Sequence, residues 1–180
     1  MPNKLQIKIS LYYIQPSIWR RVLVREDITF KELHETIQVA MGWHNAHLYS
    51  FNLDGKFLGI PADDDDYLTD ASSLKLTGNF DKENASLTYQ YDFGDSWDHQ
   101  LLIEKVEPIK PKEKLPKCLD GERNCPPEDC GSFPGYENLV EIMKDKKHPE
   151  YKEMVSWLGG VYNPEKFSLA AINKKLAKMS

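Results

Sequence analysis

The sequence lacks several features that would place it in a broad class of protein. No apolar run approaches the ~20 residues of a membrane-spanning helix, and the opening MPNKLQIKIS alternates polar with apolar residues where a signal peptide carries an apolar block. Basic residues are outnumbered, giving a formal net charge of −5, so a broad nucleic-acid footprint is not expected. We therefore expect a cytoplasmic protein that binds no membrane.

Cysteine is scarce as well. The chain has three cysteines, an odd number that suits a reduced cytosolic protein better than a disulfide framework. All three lie between Cys118 and Cys130, in the segment CLDGERNCPPEDC. This segment separates a strand-like first half from a helix-like second half. With 180 residues the chain is long enough for one sizeable core, and we expect a single domain over residues 1–180.

The first half is rich in residues that alternate between apolar and polar, which is typical of half-buried strands. Asp54-Gly55 and Gly94-Asp95 are turn signals and predict two hairpins. Arg20 and Arg21, as strand neighbours, are expected to point to opposite faces of the sheet. The pattern predicts strands over the segments 5–13, 18–24, 47–60 and 87–106.

Helix signals are clearest after residue 28. Thr29 and Glu32 have the spacing of a capping box, and Gly42 supplies a left-handed C-terminal stop, which together predict a helix over about 30–41. Apolar residues recur at helical spacing three more times after the cysteines. We therefore expect the α+β class, with a bent antiparallel sheet or partial barrel that carries its helices on one side.

The cysteine segment is the first candidate site. Thiolates and imidazole suit tetrahedral zinc, so Cys118, Cys125 and Cys130 with His99 as fourth ligand predict a structural zinc-type site. The spacings are looser than those of paired zinc knuckles, and the alternative is that the cysteines pack as small apolar residues. Catalysis by a thiol is disfavoured at Cys130, because adjacent carboxylates raise a thiol pKa.

The tip of the second predicted hairpin is another candidate. Carboxylate and imidazole groups there could bind a metal or share a proton, although turn chemistry alone also explains aspartate beside glycine. A hydrolase-like or metal-dependent enzyme would use Asp95 and His99. The group consists of Asp92, Asp95, Asp98 and His99, joined by His44 and His47.

Two further patterns have ordinary explanations beside functional ones. Aromatic residues could line a ligand groove or form the core of the sheet; they are Trp19, Trp43, Trp97, Tyr89, Tyr91 and Phe93. The run from Asp63 to Asp66 reads as a solvated loop, because like charges repel. A calcium site there lacks the ligand spacing of an EF-hand loop.

Four blocks together resemble the plasmid pRiA4b ORF-3-like family: IWRRVLV, HLYSF, YDFGDSWDH and CLDGERNCPPEDCG, with GY and HPE after them. The resemblance spans about residues 5–176, with departures at Tyr49 and Ser132. Some members carry a resolvase-like, mobile-element label, which implies a nucleic-acid-associated protein. The residues do not support resolvase chemistry, because Ser10 lies in an alternating strand without the arginine cluster that such a nucleophile needs.

The function expected from the sequence is a cytosolic binding or interaction domain with a structural zinc site. Two alternatives stay open: an enzyme that uses Asp95 and His99, and a nucleic-acid-associated protein of a mobile element. Other candidate site residues are His47 and Trp97. The partner is unknown.

Overall fold

The structure, a computed structural model, describes residues 2–62 and 67–179. The aspartate run at 63–66 lies outside the described residues, so its predicted loop and the calcium alternative stay predictions. Within the described part the strands are β1 (Asn3–Leu11), β2 (Trp19–Arg25), β3 (Tyr49–Leu53), β4 (Lys56–Gly59), β5 (Leu68–Asp70), β6 (Ser86–Tyr91), β7 (Trp97–Pro108) and β8 (Lys117–Glu122). The helices are α1 (Phe30–Met41), α2 (Ser132–Lys144), α3 (Tyr151–Trp157) and α4 (Leu169–Leu176).

These strands form one open sheet in the order β5-β4-β3-β6-β7-β1-β2-β8. Neighbouring strands pair antiparallel, except that β5 runs parallel to β4. The predicted α+β class is confirmed. The sheet is not closed into a barrel, since β5 and β8 are its two edges in the described chain.

Alternation along the central strands produces the core. In β1 the side chains from Leu5 to Leu11 at every second position are buried, and β7 aligns its own buried positions with them, pairing Ile9 with Leu101 and Leu11 with His99. One face of the sheet is therefore apolar, as period-two patterning requires.

Helix α1 covers this face. Its capping box is present, with Thr29 Oγ1 accepting from the Glu32 N–H at 3.2 Å and Glu32 Oε2 accepting from the Thr29 N–H at 2.7 Å. It ends at Gly42, whose φ of 103° is the left-handed conformation that glycine adopts readily. Phe30 packs edge-on against Phe51 of β3, with ring centroids 5.3 Å apart. The predicted bounds of this helix are confirmed.

Three parts of the sheet differ from the sequence interpretation. Strand β5 has no counterpart among the predicted strands. The apolar residues Leu74 and Leu76 predict a short strand, but this segment forms only an isolated bridge between Thr29 and Lys75. Conversely, the start of the cysteine segment forms β8 and pairs with β2. This pairing is non-local, so periodicity within the segment gives no sign of it.

Buried Arg20 ties β8 to α1. Its guanidinium donates to the carbonyl oxygens of Ala40, at 3.0 Å, and of Glu122 and Arg123, both at 2.8 Å. Arg21 lies on the opposite face, where it forms a bidentate pair with Glu104, as predicted. The chain leaving β8 therefore begins at a fixed position beside the end of α1. Within the described residues, no helix combines the length and the apolar character needed to cross a membrane.

Candidate metal centre

The structure separates the four predicted zinc ligands. Cys118 is buried in β8 opposite Val22, whereas Cys125 and Cys130 lie in the loop that follows. Among the described residues, the one group of three or more metal-capable side chains within 4.8 Å of one another contains none of these cysteines and not His99. The described residues therefore do not bring three or more of the predicted ligands Cys118, Cys125, Cys130 and His99 within reach of one ion.

The thiols are also held in a protonated form. Burial raises the pKa of Cys118 and, more strongly, that of Cys125, and it raises the pKa of Cys130 to about 12. A thiol of high pKa is not an activated nucleophile. The packing alternative for the buried pair, Cys118 and Cys125, agrees with their place in the core.

His99 lies sealed inside the core. Its side chain is 0% exposed, Nδ1 lies 3.2 Å from the Tyr89 carbonyl oxygen, and burial lowers its pKa to about 4. Trp97, Trp43, Tyr89 and Tyr91 are buried as well. These aromatic residues belong to the hydrophobic core. His99 is therefore not exposed to a substrate, as an enzyme that uses Asp95 and His99 would require.

A different group comes together at the end of the β6–β7 hairpin. Nε2 of His47 lies 3.1 Å from Oδ1 of Asp129 and 3.6 Å from Oδ2 of Asp92. This nitrogen is buried and has no hydrogen-bond partner within the described residues. One imidazole and two carboxylates, from three separate segments, therefore point at one small volume.

Local turn chemistry places Asp92. It follows directly after β6 with φ of 58°, a conformation that aspartate tolerates better than most residues. Its Oδ1 accepts from the N–H groups of Gly94 at 2.9 Å and Asp95 at 3.3 Å. The turn thus uses one oxygen of this 7% exposed carboxylate and leaves Oδ2 facing His47.

The Tyr91 hydroxyl places His47. It accepts from the backbone N–H groups of Ala46 at 3.0 Å and His47 at 3.3 Å, and it donates to Glu128 Oε1. Burial and the bond to Glu128 raise the pKa of Tyr91 well above its usual value, so the hydroxyl keeps the proton it donates. The segment before β3 is thereby pinned to β6.

Glu128 connects this segment to the cysteine loop. Its Oε2 lies 2.9 Å from Nδ1 of His44, and its Oε1 accepts from the His44 N–H at 3.2 Å. Burial raises the pKa of Glu128, but the bonds from Tyr91 and His44 outweigh burial and leave it below its usual value. Glu128 is therefore a carboxylate that clamps two loops beside the three-residue group.

The cysteine loop is fixed at several further points. Trp43 Nε1 donates to the Pro126 carbonyl at 3.0 Å, the Tyr162 hydroxyl donates to the Cys125 carbonyl at 2.9 Å, and the Gly131 N–H donates to Asp95 Oδ2 at 3.2 Å. Asp95 thus binds backbone. Asp129 lies between these anchors with its side chain 70% exposed, which leaves the group open to solvent on one side.

Beneath the site, a closed ring of four hydrogen bonds supports the segment that carries His47. Gln38 Nε2 donates to the Tyr89 hydroxyl at 3.1 Å, and this hydroxyl lies 2.8 Å from His34 Nδ1. His34 Nε2 lies 2.7 Å from Asn45 Oδ1, and the Asn45 N–H donates to Gln38 Oε1 at 3.0 Å. Burial lowers the pKa of His34 to about 4, so the ring contains a neutral imidazole.

A cleft of about 600 Å³ lies elsewhere, beside α1 and the segment 113–116. Two of its three carboxylates are already engaged, since Glu32 caps α1 and Glu113 binds Lys4. Chemically convergent groups are found at the hairpin tip and not in this cleft.

The sequence predicts two of the three residues of the site. His47 and Asp92 belong to the predicted hairpin-tip group. Asp129 is predicted only to raise the thiol pKa of the adjacent Cys130. Asp98 lies on the other face of β7 from His99, as strand alternation requires. The sequence offers one signal for Asp129. This residue lies in the proline- and glycine-rich loop that the zinc prediction places beside the same hairpin.

The fold and the site define a class of protein: an α+β domain whose open sheet carries a histidine–carboxylate group at one hairpin tip. The chain belongs to the plasmid pRiA4b ORF-3-like family, whose model matches residues 3–171. It is 35% identical to the uncharacterized protein y4hQ of Sinorhizobium fredii over 172 residues, covering 94% of this chain and 88% of that protein. Its fold matches the crystal structure of MM3350, a protein of unknown function from Methanosarcina mazei Go1, with a TM-score of 0.87 and 36% identity over 98% of each chain.

Proposed function

We propose that this protein is a binding domain with a divalent transition-metal site formed by His47, Asp92 and Asp129. The observation that carries the proposal is the buried Nε2 of His47, which forms no hydrogen bond within the described residues but lies 3.1 and 3.6 Å from two carboxylate oxygens, an ion pair when the imidazole is protonated. Buried polar atoms normally have a partner. A cation would supply one to the nitrogen and both oxygens together.

The donor set fits zinc and similar ions. Imidazole nitrogen and carboxylate oxygen bind Zn²⁺ at about 2.0–2.2 Å, whereas magnesium and calcium prefer oxygen alone. The exposed side of Asp129 leaves room for water to complete the coordination.

The role that the surroundings favour is a clamp. The three ligands come from the segment before β3, the β6–β7 turn and the cysteine loop, and the bonds of Glu128 and Asp95 already join the same parts. An ion would add a cross-link between segments that are far apart in sequence. This keeps the predicted structural role of a metal and transfers it from the cysteines to the hairpin tip.

Titration calorimetry with Zn²⁺, using protein first stripped by a chelator, tests the proposal. We expect close to one equivalent of binding and a thermal midpoint that rises with zinc, because a ligand at about 100 times its Kd stabilises the folded state by about 2.7 kcal/mol. His47→Gln and Asp92→Asn should each weaken binding at least about tenfold, the order that loss of an outer-sphere partner already produces.

Two matched controls separate this site from its neighbours. Asp95→Asn removes a charge from the same hairpin tip but keeps a side-chain oxygen that can accept from the Gly131 N–H, and Cys130→Ser removes the half-buried thiol of the same loop. Both variants should bind zinc like the unchanged protein. Equal binding in Asp92→Asn, or loss of binding in Cys130→Ser but not in His47→Gln, would refute the proposed ligand set.

A further inference from the structure

We propose that the groove between α3 and the cysteine loop is a docking site for a partner protein's peptide segment that combines apolar and basic side chains. The proposed surface shares Asp129 with the proposed metal site, but docking does not require a bound metal. Three features carry it: an apolar helix left uncovered, two clefts that meet at one tryptophan, and an acidic rim.

Helix α3 is apolar but poorly covered. None of its residues is buried, although it carries Met154, Val155 and Trp157. Trp157 is 49% exposed and Val161, shortly after the helix, is 67% exposed. A surface helix normally buries its apolar stripe, so this face is suited to contact with another molecule.

Two clefts meet at the exposed tryptophan. One measures about 350 Å³ and is lined by Leu139, Met154 and Trp157 among others, and the second measures about 510 Å³ and continues from Trp157 to Tyr162. Both also include Asp129. The two clefts therefore adjoin at Trp157, a residue type enriched at energetic hot spots of protein interfaces, and the groove is the pair of adjoining clefts.

The charged residues at the edges of the two clefts indicate what kind of partner would bind. Glu153 and Asp129 border the first cleft and are exposed, whereas Lys166 is the single lysine or arginine that borders the second. Carboxylates beside apolar side chains complement lysine or arginine placed beside apolar residues. The net charge of −5 also favours a basic partner over a second copy of this acidic chain.

The test uses a short synthetic peptide of alternating leucine and lysine, titrated by calorimetry into protein kept in EDTA so that metal has no influence. A peptide with glutamate in place of lysine, and another with serine in place of leucine, serve as matched probes. We expect saturable one-to-one binding of the leucine–lysine peptide, and binding at least about tenfold weaker for each matched probe.

Substitutions locate the binding. Trp157→Ser and Glu153→Gln should each weaken binding of the leucine–lysine peptide several-fold or more. Ile60→Ser, which changes a 55% exposed apolar side chain outside both clefts, and Asp54→Asn, which keeps the turn geometry at an exposed acidic position, should leave it unchanged.

Three results would overturn the proposal. The first is unsaturable binding of every basic peptide. The second is a loss of leucine–lysine peptide binding in the Ile60→Ser control equal to the loss in Trp157→Ser. The third is concentration-dependent dimerisation of the unchanged protein that Trp157→Ser abolishes. The last result, measured by sedimentation, would identify a second copy as the occupant of the groove. Because EDTA is present throughout, failure here leaves the zinc experiment unaffected.

Discussion

Tyr89 shows how single residues determine the site from beneath it. Its hydroxyl accepts from Gln38 and is 2.8 Å from Nδ1 of His34. Because Asn45 Oδ1 can only accept, His34 carries its proton on Nε2, and Nδ1 accepts from the Tyr89 hydroxyl. The ring thereby sets the tautomer of a buried histidine and the position of the segment that leads to His47.

Removing this hydroxyl should therefore be costly. Tyr89→Phe leaves the Nδ1 of His34 and one Gln38 N–H buried without a partner, and an unsatisfied buried polar group costs about 1–3 kcal/mol. We expect the free energy of unfolding, measured in urea, to fall by about 2 kcal/mol. Tyr13→Phe, at a 74% exposed position, is the matched control; an equally small effect for both would contradict the role assigned to the ring.

At the scale of elements, α2 and the cysteine loop depend on close backbone contact. Gly135, in the first turn of α2, lies so near the preceding loop that an added Cβ would stand 1.9 Å from the carbonyl oxygen of Cys130. No side chain fits at that distance, so glycine is required by the packing of the helix and not by a turn. The loop that carries Asp129 rests directly on this contact.

Gly135→Ala should consequently destabilise the protein by about 1–3 kcal/mol, the usual cost of overpacking, and should also weaken zinc binding because the loop must move. Gly160→Ala is the matched control, since its Cβ would meet nothing within 4 Å. Thermal unfolding and zinc titration of both variants check the prediction. Wild-type stability in Gly135→Ala would mean that the loop yields freely and that Asp129 is not held in place by α2.

At the scale of the whole molecule, two buried neutral histidines make stability depend on pH. Burial lowers the pKa of both His34 and His99 from 6.5 to about 4. Above pH 6.5 each is neutral whether the chain is folded or unfolded, so neither contributes to the pH dependence. Below pH 6.5 the histidines of the unfolded chain bind protons that the buried histidines of the folded chain do not bind, so the free energy of unfolding falls.

We expect the free energy of unfolding to decrease from about pH 6.5 down to about pH 4, by roughly 3 kcal/mol per histidine, since one pKa unit corresponds to about 1.4 kcal/mol. His99→Phe should remove its share of this slope while costing stability at neutral pH. Urea unfolding across this pH range measures both. An unchanged slope in His99→Phe would show that His99 does not account for its share.

The parts of the fold that were predictable have their causes close by in sequence. Helix α1 has its cap, apolar stripe and stop within a few residues, and the strands of the central sheet alternate visibly. Strand β8 and the parallel partner β5 were missed because their stability comes from pairing with β2 and β4, which no local pattern reports. For the site, His47 and Asp92 both belong to the carboxylate–histidine group that the sequence predicts at the hairpin tip.

The sequence by itself determined the α+β class, the bounds of α1, the opposite faces of Arg20 and Arg21 and the family. Only the tertiary structure decided which side chains meet. Cys118 is fixed in β8 by its pairing with β2, and His99 is buried beside Trp43 and Tyr89. Asp129 comes within 3.1 Å of His47 because Glu128 and the close contact at Gly135 hold its loop beside the hairpin. Periodicity reports which side of an element is apolar, whereas a site depends on distances between segments far apart in the chain, and packing alone sets those.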